Sequence, residues 1–184
     1  MTMLERLDKI IQMRSETDLR SWIADIQENE IDQRFYSKFE KILIEKWHHE
    51  HEDIVGIIWL FRLKDNRFIE PLLTIAQQPE VYRPFDDEPE STLRKCVRAL
   101  KEIGTKESDL AIKKLIETGN ATVKYAWKII MKLDNLPGSL IEPNLIRVGI
   151  HNLLTYSIKL LQGFNNLSVR STEFQIALNR IKCR

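Results

Sequence analysis

The sequence predicts an all-α protein in which antiparallel helical hairpins stack side by side, about ten helices in all. Three observations carry that expectation. Apolar residues recur at helical spacing along most of the chain, and 184 residues contain only six glycines and six prolines, too few to punctuate many short strands. The third is a recurrence. Moving 59–65 forward by forty positions places Trp59, Leu60 and Leu63 on Ala99, Leu100 and Ile103, and Lys64 and Asp65 on the turn at Gly104 and Thr105. Moving 96–103 forward by thirty places Cys96, Val97, Leu100 and Ile103 on Ala126, Trp127, Ile130 and Leu133. The unit is therefore about thirty residues long, and the first interval carries about ten more.

In chain order, Leu4, Leu7, Ile10 and Ile11 share one helical face, and Ser15 with Asp18 gives a capping spacing ahead of Leu19, Trp22, Ile23 and Ile26. A third helix is expected from about 30 to 47, with Phe35, Phe39, Ile42, Leu43 and Trp47 on one side and Arg34, Lys38, Lys41 and Glu45 on the other. These helices, 1–47, form an N-terminal cap. The block HHEHED at 48–53 is the one cluster of histidines. In a helix, His48 with His51, and His49 with Asp53, could offer divalent-metal ligands, but the spacing is not His-Glu-x-x-His and no fourth ligand is indicated. The preferred reading is a polar turn in which Asp53 caps a helix beginning at Ile54, with no metal.

Residues 54–76 read as a hairpin, two apolar helices broken at Asp65 and Asn66, with Gly56 letting a neighbour approach closely. The segment 77–89, QQPEVYRPFDDEP, holds Pro79, Pro84 and Pro89 and so cannot be a continuous helix; it accounts for the extra residues of the first interval. The second hairpin follows. Gly104 suits a left-handed helix end, and Gly119 followed by Asn120 gives a stop and an immediate N-cap. Beyond 134, Pro143 opens a helix with Ile146, Ile150, Leu153, Leu154, Leu161 and Phe164 on its apolar side, and a short last helix carries Phe174, Ala177, Leu178 and Ile181. The expected organisation is one domain: a cap over 1–47, hairpins over 48–133 with the insertion 77–89, and capping helices over 134–184.

The stretch STLRKCVRALKEIGTKES resembles the first helix and turn of HEAT-type repeats of the phycobilisome-lyase kind, whose pattern is Val-Arg-x-x-Ala-Ala-x-Ala-Leu-Gly-x-Ile-Gly-Asp-Pro. Leu100, Ile103 and Gly104 stand at its Leu, Ile and final Gly, and Cys96 and Ala99 at small positions. LFRLKDNRFIEPLL matches the same turn, with Lys-Asp-Asn for Gly-Asp-Pro. The likeness covers about 53–133, and departs from the pattern where Phe61 and Lys101 replace an inner Gly and where the third turn reads Leu136-Pro137-Gly138. It implies a right-handed, solenoid-like HEAT stack. It permits a chaperone-like or lyase-type role, although no residue here identifies a pigment site.

Charge and composition bound the function. With 28 basic and 27 acidic residues the formal net charge is +1, so no global field favours nucleic acid or membrane. The charge is unevenly spread: residues 1–89 carry 12 basic and 19 acidic residues, residues 90–134 carry 10 and 6. Cys96 and Cys183 lie far apart, which speaks against a disulfide framework or a cysteine metal site. The N-terminal residues lack the uninterrupted apolar run of a signal peptide, and even 144–164 is broken by Arg147, His151, Asn152 and Lys159. A cytoplasmic protein without a membrane partner is expected.

No glycine-rich phosphate loop, nucleophile elbow or paired-carboxylate motif stands out, so neither catalytic residues nor a cofactor are assigned. Two surfaces remain as candidates for binding. One is the insertion, where Tyr82, Arg83 and Phe85 lie beside Asp86, Asp87 and Glu88; it either presents these side chains to a partner or packs Tyr82 and Phe85 down on the hairpins. The other is a basic row: Arg94, Arg98 and Lys101 on one helix, Lys124, Lys128 and Lys132 on its counterpart one repeat later, with Arg62 before them. A row of this kind is either a solvated face or a binding face. The function expected is a non-catalytic module that binds a protein partner, as scaffold, chaperone or toxin-neutraliser. The alternative is a DNA-acting HEAT-like enzyme of the alkylpurine glycosylase type, with Trp59 and Trp127 as its aromatics.

Overall fold

The computed structural model describes residues 1–86 and 90–134, all within the first of the two units into which the chain divides, Met1–Ile141. Among the described residues every regular element is helical: α1 Met3–Met13, α2 Glu16–Asp25, α3 Gln33–Leu43, α4 His51–Leu60, α5 Ile69–Gln77, the single turn α6 Pro79–Tyr82, α7 Ser91–Ile103, α8 Lys106–Glu117 and α9 Ala121–Asp134. The expected C-terminal helices over 143–181, and the third turn at 136–138, lie outside the described residues.

Local chemistry starts and stops most of these helices. Thr2 accepts a hydrogen bond from the Glu5 amide while the Glu5 carboxylate takes the Thr2 amide, a reciprocal cap for α1. Ser15 caps α2 through the Asp18 amide. Asn120 Oδ1 accepts from the amides of Thr122 and Val123 at the start of α9. Gly104 ends α7 at φ 70°, in the left-handed region where a side chain is strained. The apolar stripes then decide packing. Leu7, Ile10, Leu19 and Trp22 are buried, and Trp22 meets Phe35 and Phe39 edge-on or tilted at ring separations of 6.3 and 5.9 Å while its indole N–H donates to the Met3 carbonyl.

The helix α7 is the hub. It packs against α4, α5, α8 and α9; α5 in turn contacts α8. Its buried residues, among them Leu93, Cys96, Val97, Ala99, Leu100 and Ile103, fill the space between those neighbours. The forty- and thirty-residue spacings reappear as helix starts, at His51, Ser91 and Ala121. Burial repeats with them: Leu63 and Ile103 are buried, as are Cys96 and Ala126, and Leu100 and Ile130.

Three local expectations are corrected. The third helix spans Gln33–Leu43, not 30–47, because Asp32 caps its start and the histidine block closes its end. Asp53 is no cap: α4 begins at His51 and Asp53 sits in its first turn. Gly56 admits no tightly packed backbone, since the nearest atom to a Cβ placed there is the Lys95 ammonium nitrogen at 3.8 Å, an ordinary contact with a flexible group.

His48, Glu50 and His51 of the histidine block are buried while His49 is exposed, so the block is not a solvated turn throughout. His48 and His51 are 1% and 2% exposed and their rings lie 4.5 Å apart. His48 Nε2 bonds the Ile42 carbonyl at 2.8 Å and its Nδ1 accepts the Glu50 amide at 3.2 Å, which fixes a neutral ring with its proton on Nε2. His51 Nδ1 bonds the Leu43 carbonyl at 3.1 Å. The two imidazoles thus satisfy the last carbonyls of α3, groups that a helix end otherwise leaves without partners. Among the described residues no group of three His, Cys, Asp or Glu side chains is arranged to hold a metal ion.

Candidate binding face on α7 and α9

Of the two candidate surfaces, the insertion turns mostly inward. Tyr82 is buried, its hydroxyl donating to the Ile44 carbonyl at 3.2 Å and its ring edge-on to His51 at 5.1 Å. The Arg83 guanidinium, 7% exposed as a residue, donates to the Ile75 and Ala76 carbonyls, both at 3.1 Å, and to Asp86 and Glu90 at 2.9 and 3.3 Å. Asp86 then accepts from the Ser91 hydroxyl and from the amide and hydroxyl of Thr92. One ion pair therefore closes the end of α5 and caps the start of α7, and those hydrogen bonds hold the Asp86 carboxyl below its usual range despite its burial. Of the insertion's predicted contacts among the described residues, Phe85 alone projects, 80% exposed with its ring against His49 at 5.4 Å. Asp87 lies outside the described residues.

The basic row lies on two helices that pack together. On α7, Arg94, Arg98 and Lys101 stand four and three residues apart, hence on one face; on α9, Ala121, Lys124, Tyr125 and Lys128 do the same. The packing of α7 on α9 sets the Arg94 end of the first strip beside the start of the second, with Arg94, Ala121, Thr122 and Tyr125 lining an open depression of about 270 Å³. The Arg98 guanidinium lies 4.8 Å from the centre of the Trp59 ring on α4, and the Lys101 ammonium 5.7 Å from that of Trp127 on α9. Lys124 and Lys128 are exposed, and Tyr125 is 58% exposed.

Electrostatically the face is under-compensated. Neither Arg94 nor Arg98 reaches a carboxylate among the described residues, and Arg94 Nε is buried without a hydrogen-bond acceptor. Burial first, and then the charge of Arg94, lower the pKa of Arg98. The acid of α7, Glu102, is held by Arg62 at 3.2 Å and Lys64 at 3.8 Å, which takes Arg62 out of the row and ties Glu102 to the α4–α5 turn.

Sequence reasoning missed two participants. Tyr125 was signalled by an aromatic at the spacing of Ala121 and Lys128 on an otherwise polar strip. Glu90 was not signalled: its φ of 47° and its bonds to Arg83 and Asn120 depend on contacts across helices. Comparison of the chain with protein-family models, with curated proteins and with solved structures finds no match.

Proposed function

We propose that the chain is a protein-binding module built as a HEAT-like stack of helical hairpins, and that the α7–α9 face is where the partner docks, with Phe85 as a second contact. Supporting the stack are the contacts of α4 with α7, α7 with α9 and α5 with α8, which join like helices of successive hairpins. The docking face rests on one observation: Arg94 and Arg98 are partly buried, held against neighbouring helices and without an acid of their own among the described residues. Charges ordered and stripped of water in that way gain when a partner supplies the acceptor. The DNA-acting alternative has less support, because the Trp59 and Trp127 rings are half-buried and already occupied by Arg98 and Lys101 instead of standing open to stack on a base.

A photo-crosslinking residue at Lys128, compared with one at Lys113 on α8, tests the proposal in cells. A discrete protein adduct from position 128 alone, lost in Arg94→Glu/Arg98→Glu, is the expected result. Equal labelling from both positions, or an adduct indifferent to the charge reversal, would refute it. An adduct that nuclease trims back to the size of the chain alone would move the protein to the DNA-acting class.

A further inference from the structure

We infer that the α7–α9 face receives an extended acidic segment of the partner, whose alternate carboxylates seat on Arg94 and Arg98 and whose neighbouring apolar side chain enters the depression beside Tyr125. The inference rests on the protein-binding proposal and names the chemistry of the partner.

Charge is the first support. Arg6, Arg20, Arg34, Arg62, Arg67 and Arg83 each reach a carboxylate, most of them while more exposed than Arg94 and Arg98. Apart from the buried Arg83, the fold thus supplies acids mostly to exposed guanidiniums and gives none, among the described residues, to the partly buried Arg94 and Arg98. Lys124 and Lys128 add positive charge on the adjacent strip and also form no ion pair among the described residues.

Spacing is the second. Residues four apart on a helix rise roughly 6 Å along its axis. Side chains two apart on an extended strand share a face and are separated by roughly 6.6 Å. Glu-x-Glu in an extended segment lying along α7 therefore matches the Arg94–Arg98 pair, each guanidinium offering the fork geometry that fits a carboxylate. The depression at the Arg94 end, walled by Ala121, Thr122 and the exposed ring of Tyr125, has room for one side chain.

The same region argues against a phosphate as the anion. The first amides of α9 that would cradle it, those of Thr122 and Val123, are already engaged by Asn120 Oδ1.

Fluorescence anisotropy with the full chain decides the matter. The probe is a labelled peptide Gly-Ser-Phe-Ser-Glu-Ser-Glu-Ser-Glu-Gly, compared with a copy carrying Gln for each Glu, a copy carrying phosphoserine for each Glu, and a 12-base-pair duplex. The Glu peptide should bind at least about tenfold more tightly than the Gln copy, and Arg94→Gln/Arg98→Gln should lose at least about tenfold, the size expected for losing charged hydrogen bonds. Should that variant fail to fold, the exposed pair Lys124→Gln/Lys128→Gln serves, with a smaller loss that shrinks as salt rises. Equal binding of the Glu and Gln peptides, tighter binding of the phosphoserine copy or of the duplex, or indifference to both variants overturns the inference. If no peptide binds while the crosslink at 128 persists, the acidic segment is wrong and the module stands; if both vanish, both are wrong.

Discussion

Two regions of this chain carry arginines, aromatics and a turn or helix start close together, and they use them in opposite ways. The Arg83 charge is answered inside the fold: two carbonyls, Asp86 and Glu90 surround its guanidinium, and Asp86 passes the connection on to the first residues of α7. On the α7–α9 face, Arg98 leans on the Trp59 ring, Arg94 lines the depression with Tyr125, and neither finds an acid among the described residues. The difference lies in the supply of partners. The insertion passes the open end of α5 and the open start of α7, where unpaired backbone groups are waiting. The outward face of α7 has Glu102 to offer, and the preceding turn claims it. A charge satisfied internally cannot be surrendered to a partner without loosening the fold, whereas an unsatisfied one costs stability until a partner arrives.

The largest effect should come from breaking the satisfied region. Arg83→Ala leaves Asp86 and two carbonyls without their donor at a site from which water is excluded, and is expected to lower stability by about 3–5 kcal/mol. The urea midpoint measures it. Arg83→Lys should recover little, since one ammonium cannot span two carbonyls and two carboxylates. A loss under about 1 kcal/mol would erase the contrast between the two regions.

How much of this was readable from residues alone follows the same division. The starts of α2 and α9 and the end of α7 were legible because Ser15, Asn120 and Gly104 act within a few residues of themselves. The hairpin register was legible because it repeats. The early end of α3 was not, since its carbonyls are capped by His48 and His51 from beyond the helix. Nor was the inward turn of Tyr82, Arg83 and Asp86, whose partners at Ile44, Ile75 and Thr92 are set by how helices pack. The row Arg94, Arg98, Lys124 and Lys128 could be listed from its spacing. That the arginines would rest on the fold without an acid could not.

A second, smaller effect separates buried groups by the sign of their pH dependence. The burial of His51, with repulsion from His48 next, lowers its pKa to about 4; the burial of Asp53 raises its pKa to about 6 against the pull of Lys95. Between pH 7 and pH 5 the unfolded chain takes up a proton on His51 that the folded chain resists, so acid costs on the order of 2 kcal/mol there. Over the same interval the folded chain protonates Asp53 while the unfolded chain does not, which returns about 1 kcal/mol once its partial exposure is allowed for. Asp53→Asn should therefore lose more stability from pH 7 to pH 5 than the native chain, and His51→Gln should lose less or gain. Urea midpoints at the two pH values check the order, and a reversed order would contradict the burial assigned to both groups.

Next in size is Tyr82→Phe, which keeps the ring against His51 and deletes the bond to the Ile44 carbonyl. About 1 kcal/mol is expected, read from the same midpoint. If Tyr82 instead served a partner, stability would not move and binding would.

The smallest expected change is the sharpest probe of the comparison. Arg98→Met removes a guanidinium from the Trp59 ring, where the attraction of cation for ring is worth about 0.5–1 kcal/mol, and leaves a flexible thioether that packs on the same ring. Against that loss stand two gains: the repulsion of Arg94 disappears, and a partly buried charge no longer has to be kept from water. The net shift in the urea midpoint should fall within about 0.5 kcal/mol, while affinity for the acidic peptide drops. Beside the several kcal/mol expected for Arg83→Ala, that near-silence would show a charge held for something outside the described fold. A loss above about 2 kcal/mol would instead give Arg98 an internal role of the Arg83 kind, and would make the α7–α9 face part of the scaffold.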